Sequence, residues 1–441
     1  MMVFVASHFK LSDLIFGGII NFIIPFALII WSLQSGGKID IHQKRDWLIN
    51  LLLILLVISN CFGWMFKSKL QWYYLLVAIV NFCAFIIMFR YAKSMVWLES
   101  RMKILVEIIC IMSVYALITA VINGFDLLDF ETPLITSWRI GEEDIFIFGG
   151  RLFFAMVERP SGEMGLIYFS FLFPIATSNQ IASILRINRK LLWMGTVSAC
   201  VVCLIAFSKS QTILLVISSI LLILAPNVLS FKFLKSRIKP LFILLSLSIV
   251  IIISNAYFNY GFIFQRFKNQ PKLIENFFNN PLEAAGTSRE VSYTMGISAL
   301  KRENWWIGYG YAMSRRNKIA YFGSESAVKS KIKLDFHNLY YSLPPVMGWV
   351  GGFAFISLFL IFIIRGVNLL RSKRVRENFR AVFLFAFINM MVFFLLGEWT
   401  INAITSPHYL MMIMILLGLA YSMYYDCLRV QTGNVTEKHP F

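Results

Sequence analysis

Five short stretches hold the residues whose types suit proton transfer or anion binding. ERPSGEMG (158–165) sets Arg159 and Glu163 just ahead of the apolar run LIYFSFLF. FSKSQ (207–211) contains Lys209, the one charge between Leu191 and Lys232. GTSREVSYTMGISALKRENWWIGYG (286–310) carries Arg289, and DFHNLYYSLPPVMGWVGG (335–352) carries His337. GEWTINAITSPHY (397–409) brings Glu398 and His408 to one short connection. Arginine and lysine are the side chains that hold phosphate, Arg as a planar fork and Lys as a point charge. Histidine, with a reference pKa of about 6.5, accepts or returns a proton near neutrality. Carboxylates such as Glu163 and Glu398 act as alternative bases or orient an imidazole.

Each stretch also has a plainer use. Glu158, Arg159 and Glu163 suit an interfacial ion pair, and a lone Lys209 at a tight turn reaches toward headgroups. Thr287 and Glu290 fit a T-x-x-E capping box, so a helix is expected to begin at Ser288. Arg289 then falls in the first turn, where the helix dipole disfavours a cation unless an anion sits there too. Free helix amides beside a guanidinium make a phosphate site; the alternative is an exposed Arg289 paired with Glu290 or Glu283. His337 is either a reacting base or a solvated histidine near a helix start that Asp335 or Asn338 caps.

The elements that must position these residues are membrane helices. Of the 441 residues, 58% are hydrophobic, 42 are Phe, and mean hydropathy is +0.71. That composition is far from the average soluble domain. Apolar windows recur along the chain, each of roughly the 20 residues that cross a bilayer as a helix. Eleven spans are expected, near 14–33, 47–64, 70–89, 104–123, 163–180, 191–207, 211–228, 240–257, 340–364, 381–397 and 408–425. The fold class is therefore all-α, a polytopic bundle of 11–12 spans, with a half-inserted twelfth segment conceivable over 145–157. The first window is too long for a signal-peptide core and lacks a small-residue cleavage site before the next basic loop.

Lys and Arg mark the cytoplasmic loops. KIDIHQKR (38–45), RYAKSMVWLESRMK (90–103), RINRK (186–190), KFLKSRIK (232–239) and RGVNLLRSKRVR (365–376) alternate between spans as that rule requires. The C-terminal tail is then inside, while 124–162 and 258–339 are outside; with eleven spans the N-terminus is outside, and a missed span would reverse it. The chain divides into spans 1–8 over 1–257, a large outer segment with a helix over 258–339, and spans 9–11 with the tail over 340–441. Much of the formal charge of +18 belongs to the inner loops. The outer segment 258–339 adds twelve Lys and Arg against six acids, a field that favours an anionic ligand or membrane surface. All five stretches above face that same outer side.

Other chemistry finds little purchase. Cys61, Cys83, Cys110, Cys200 and Cys203 lie in apolar windows and Cys427 at the end of one, so no disulfide framework is expected outside. Cys200 and Cys203 have C-x-x-C spacing without His or acid neighbours, which reads as buried packing rather than metal or redox use. Zinc, Walker, nucleophile-elbow and dinucleotide motifs do not occur, and nothing points to nucleic acid.

Taken in order, RPSGE before a span, the SKSQ break, the S-R-E helix with KRENWWIGYGY, and HNLYYSLPPVMGWVGG resemble the O-antigen polymerase and O-antigen ligase superfamily over roughly residues 158–400. The resemblance implies an all-helical bundle of about a dozen spans in the bacterial inner membrane with a large periplasmic loop. It implies metal- and cofactor-independent transfer of a glycan from undecaprenyl diphosphate to a sugar hydroxyl. By position, Arg289 matches the diphosphate-binding arginine, His337 the histidine of the H-N pair, and Lys209 a place where many members carry Arg. Arg159, Lys209 and Arg289 would then steady the leaving diphosphate, with His337, Glu163 or Glu398 taking the proton. Direct displacement would invert the anomeric carbon.

The preferred expectation is the polymerase, whose acceptor is a second lipid-linked repeat unit; a chain-length regulator is the partner protein such enzymes work with. The alternative is the ligase, whose acceptor is lipid A-core. A flippase or transporter for lipid-linked sugars is a further reading, although no internal repeat is visible and the polar clusters avoid mid-span positions. A non-catalytic scaffold explains the spans but not the converging charges.

Overall fold

Long apolar windows with few breakers should form helices, because in lipid the backbone must satisfy its own hydrogen bonds. The computed structural model describes residues 47–67, 95–124, 135–138, 151–154, 159–205, 209–224, 306, 339–398 and 407–432. Helices α1 (Trp47–Lys67) and α2 (Met95–Gly124) precede three short strands, β1 (Ile135–Trp138), β2 (Arg151–Phe154) and β3 (Arg159–Pro160). Then come α3 (Ser161–Ala176), α4 (Asn179–Ile184), α5 (Arg189–Ile205) and α6 (Lys209–Leu224). The last group is α7 (Leu339–Leu370), α8 (Lys373–Arg376), α9 (Arg380–Gly397) and α10 (Pro407–Thr432). The windows expected at 14–33, 70–89 and 240–257 lie outside the described residues, as do Arg289 and His337.

Among the described residues, three segments are long and apolar enough to cross a membrane: Met347–Leu370 within α7, Arg380–Gly397 and Met412–Thr432. Trp47–Ser59 and Gly162–Ala176 are shorter apolar helices. Phe353, Leu360 and Ile364 stand exposed along one side of α7, and Ile54 and Ile58 do so on α1. Such stripes are costly in water and matched to hydrocarbon, as expected of a membrane protein.

Two helices organise the described core. α3 packs against α2, α5, α6 and α9, while α7 packs against α1, α9 and α10. α9 is buried almost all round, from Arg380 to Met391 and again at Phe393, Phe394 and Leu395. An apolar helix at the centre of a bundle must be so. Rings interlock across these contacts, with Phe171 and Phe387 at 5.0 Å and Phe359 and Phe394 at 5.1 Å between centroids. At one end of α9, Arg380 Nε lies 2.6 Å from Asp426 Oδ2 of α10, and both side chains are buried. That is the Arg380 end of the bundle; the opposite one is the Glu398 end.

Three features differ from the sequence expectations. The segment 145–157 does not hold a half-inserted helix at its centre: Arg151–Phe154 is a strand, antiparallel to Ile135–Trp138 and to Arg159–Pro160. The span expected at 163–180 ends as a helix at Ala176, because Ser178 is extended (φ −95°, ψ 105°) and starts α4. The Thr177 hydroxyl caps that end by donating to the Phe173 and Pro174 carbonyls. The span expected at 340–364 is interrupted at Gly348 (φ 73°, ψ 169°). Glycine reaches that conformation without Cβ strain. Pro344 and Pro345 lie just before the break, and a proline donates no backbone N–H.

Candidate functional site

The Glu398 end gathers the termini of five helices. Glu163 lies in the first turn of α3, and Gly165 follows two residues later. A Cβ at Gly165 would fall 2.6 Å from the Ala199 carbonyl and 2.7 Å from the Cys203 nitrogen, so α3 and α5 touch backbone to backbone. Small residues permit this approach, which van der Waals packing between membrane helices favours. The Cys203 thiol donates to the Gln211 carbonyl (3.8 Å), which brings the first turn of α6 to the same place. On α9, the Glu398 N–H donates to Phe394 (3.0 Å), and the Glu398 carbonyl accepts from the Leu339 N–H (3.0 Å) at the start of α7. The Tyr340 hydroxyl donates to the Leu395 carbonyl (2.8 Å). Two carbonyls at the C-terminal end of α9, which would otherwise lack partners, are thus met by the start of α7.

A polar node halfway along the bundle holds α3, α6 and α9 in register. Asn389 Nδ2 donates to the Ser170 carbonyl (2.9 Å) and to Ser218 Oγ (3.4 Å), and the hydroxyls of Ser170 and Ser218 lie 3.3 Å apart. All three residues are buried. Seven helical residues separate Ser170 from Glu163, about 10 Å of rise, and nine separate Asn389 from Glu398, about 13 Å. α3 and α9 run antiparallel here, so both glutamates come to the same end.

The sequence-derived site residues differ in where the structure places them. Glu163 and Glu398 are both buried, at 1% and 0% exposure, on helices that pack together. Lys209 begins α6, and Arg159 begins β3, the strand that leads directly into α3. Arg289 and His337 fall outside the described residues, but His337 precedes Leu339 by only two positions in the chain. Cys200 and Cys203 are buried thiols of α5. Among the described residues, no three His, Cys, Asp or Glu side chains gather as a metal site.

Two polar residues of this region carried no role in the sequence reading. Gln211 is completely buried, and neither its amide nitrogen nor its amide oxygen has a hydrogen-bond partner among the described residues. Its signal was present: Ser208 and Gln211 have S-x-x-Q spacing, in which the glutamine normally bonds back to the helix start. Asn389 is the second, a single amide inside an otherwise apolar window. A buried amide can donate two hydrogen bonds and accept others, so Gln211 is suited to a hydroxyl-bearing group. Carboxylates and an amide at one end of a helical bundle can take a proton and hold hydroxyls. No protein-family model and no curated protein matches the chain.

Proposed function

We propose that this chain is a polymerase of bacterial surface polysaccharide, an undecaprenyl-diphosphate-dependent glycosyltransferase of the inner membrane. In this reading the bundle has eleven or twelve spans, and its Glu398 end opens to the periplasm. The observation that carries the reading is the assembly of helix termini at that end. The starts of α3 and α6, which follow Arg159 and include Lys209, lie toward the same end of the bundle as the Glu398–Leu339 join, two residues beyond His337. The four stretches that resemble the O-antigen polymerase and ligase superfamily thus have three of their number on packed helices at one end.

The chemistry follows from the residue types. An acceptor sugar hydroxyl loses its proton to His337, with Glu163 or Glu398 orienting the imidazole or serving as the base. The hydroxyl oxygen bonds to the anomeric carbon of the donor glycan. The carbon–oxygen bond to the diphosphate breaks, and its electron pair leaves with undecaprenyl diphosphate. Arg289, Arg159 and Lys209 steady the charge that grows on that leaving group. A base of this kind contributes about 10²–10⁴-fold. A fixed donor at the developing charge contributes about 10²–10³-fold.

The acceptor is a second lipid-linked repeat unit. A ligase would use the same transfer but deliver the glycan to lipid A-core, so the acceptor separates the two. The uncharged mid-bundle node favours transfer over transport, since its polar groups hydrogen-bond to one another rather than line a charged path. The test uses purified protein with a synthetic lipid-linked repeat unit. Arg289→Ala and His337→Ala should each abolish ladder formation at unchanged expression, and normal ladders from both would overturn the assignment.

A further inference from the structure

A proline inside a helix leaves one carbonyl without its helical donor. Pro174 lies within α3, and the N–H it lacks is the one that would reach the carbonyl four residues earlier, that of Ser170. In hydrocarbon an unmet carbonyl is expensive, and a neighbouring helix commonly supplies the missing donor. Here the donor is Asn389 Nδ2 of α9, at 2.9 Å from the Ser170 oxygen. The same amide nitrogen reaches Ser218 Oγ of α6 at 3.4 Å, and Ser218 Oγ lies 3.3 Å from Ser170 Oγ. One side chain therefore ties the proline-opened turn of α3 to both α6 and α9.

Those three helices also carry the candidate residues. α3 begins beside Arg159 and holds Glu163, α6 begins with Lys209, and α9 ends at Gly397 with Glu398 as its C-cap. The ladder of α3 is weakest at its open turn, so the outer half of the helix has freedom to swing unless that turn is clamped. Resting on the transferase reading above, we propose that Asn389 is a positioning residue. It clamps the turn opened by Pro174 and so holds Glu163 in register with Lys209 and Glu398. It touches no substrate; its effect on turnover comes through the placement of the helix starts.

The clamp can be separated from simple hydrogen-bond satisfaction, because Pro174→Ala returns the missing N–H to Ser170. Full-length protein in nanodiscs is compared as wild type, Asn389→Leu, and Pro174→Ala with Asn389→Leu. Asn389→Leu should melt at a lower temperature and speed amide exchange over 162–168. It should also slow turnover about 10–100-fold with little change in KM. The double variant should recover the melting temperature, since Ser170 regains a helical donor, but not the turnover, since the tie to α9 is still absent. Wild-type turnover in Asn389→Leu, or full recovery of turnover in the double variant, would overturn the positioning role. If the wild type forms no ladder, the transferase reading falls instead. Exchange then decides the clamp alone: faster exchange over 162–168 in Asn389→Leu supports it, and unchanged exchange refutes it.

Discussion

Gly165→Ala is a one-carbon test of how the Glu398 end is built. The new Cβ would fall 2.6 Å from the Ala199 carbonyl oxygen and 2.7 Å from the Cys203 nitrogen. Ordinary contacts of a Cβ begin at 3.4 Å, so the shortfall is about 0.8 Å at one atom and about 0.7 Å at the other. Both are backbone atoms of α5, so no rotamer change relieves them, and α3 and α5 must separate. Forcing an extra carbon into a packed interior costs about 1–3 kcal/mol, a large fraction of a marginal stability. Because Gly165 is two residues from Glu163, the same displacement moves that carboxylate. Misplacement near ~1 Å at a reacting group costs about 10²-fold. Gly397→Ala is the control, since nothing among the described residues lies within 4 Å of its Cβ. Alanine gains about 0.5–1 kcal/mol over glycine in a helix. Thermal unfolding in nanodiscs should therefore rank Gly397→Ala at or above wild type and Gly165→Ala well below it. Wild-type melting of Gly165→Ala would refute the backbone contact between α3 and α5 and the placement of Glu163 built on it.

Three further substitutions probe separate parts. Gly348→Ala forces a side chain into a positive-φ conformation at the break in α7 and should cost about 1–3 kcal/mol, read as a lowered melting temperature. Arg380→Ala removes the buried guanidinium that lies 2.6 Å from Asp426 and should cost about 3–5 kcal/mol, whereas Arg380→Met with Asp426→Leu should recover most of that loss. Gln211→Leu removes an amide that is fully buried without a hydrogen-bond partner among the described residues, so the substrate-free protein should gain about 1–3 kcal/mol. Lower stability in Gln211→Leu would contradict that reading of the amide.

Apolar windows were legible because nothing in hydrocarbon competes with the helical ladder: 381–397 was expected as a span, and Arg380–Gly397 is one of membrane-crossing length. Breaks were harder to read. LPPVMG contains two prolines and a glycine, yet its hydropathy is that of a continuous span, and the interruption falls at Gly348 rather than at the prolines. ITSW and RLFF are too short for a reliable period, and they become strands only by pairing, with each other and, for RLFF, with Arg159–Pro160. The shared end of Glu163 and Glu398 followed from alternating topology. The node did not, because Ser170, Ser218 and Asn389 are ordinary small polar residues until the helices face one another. Gln211 carried a local signal, its capping-box spacing, while its amide has no hydrogen-bond partner among the described residues.

The most direct measurement of the proposed chemistry is the product formed by purified wild-type protein in nanodiscs. The donor is a synthetic undecaprenyl-diphosphate repeat unit, a chelator is present, and lipid A-core is offered in a parallel reaction. Mass spectrometry should find a ladder of lipid-linked oligomers, each step adding one repeat unit and releasing one undecaprenyl diphosphate. Glycan joined only to lipid A-core, or lipid-linked repeat units left unextended by folded protein, would contradict it.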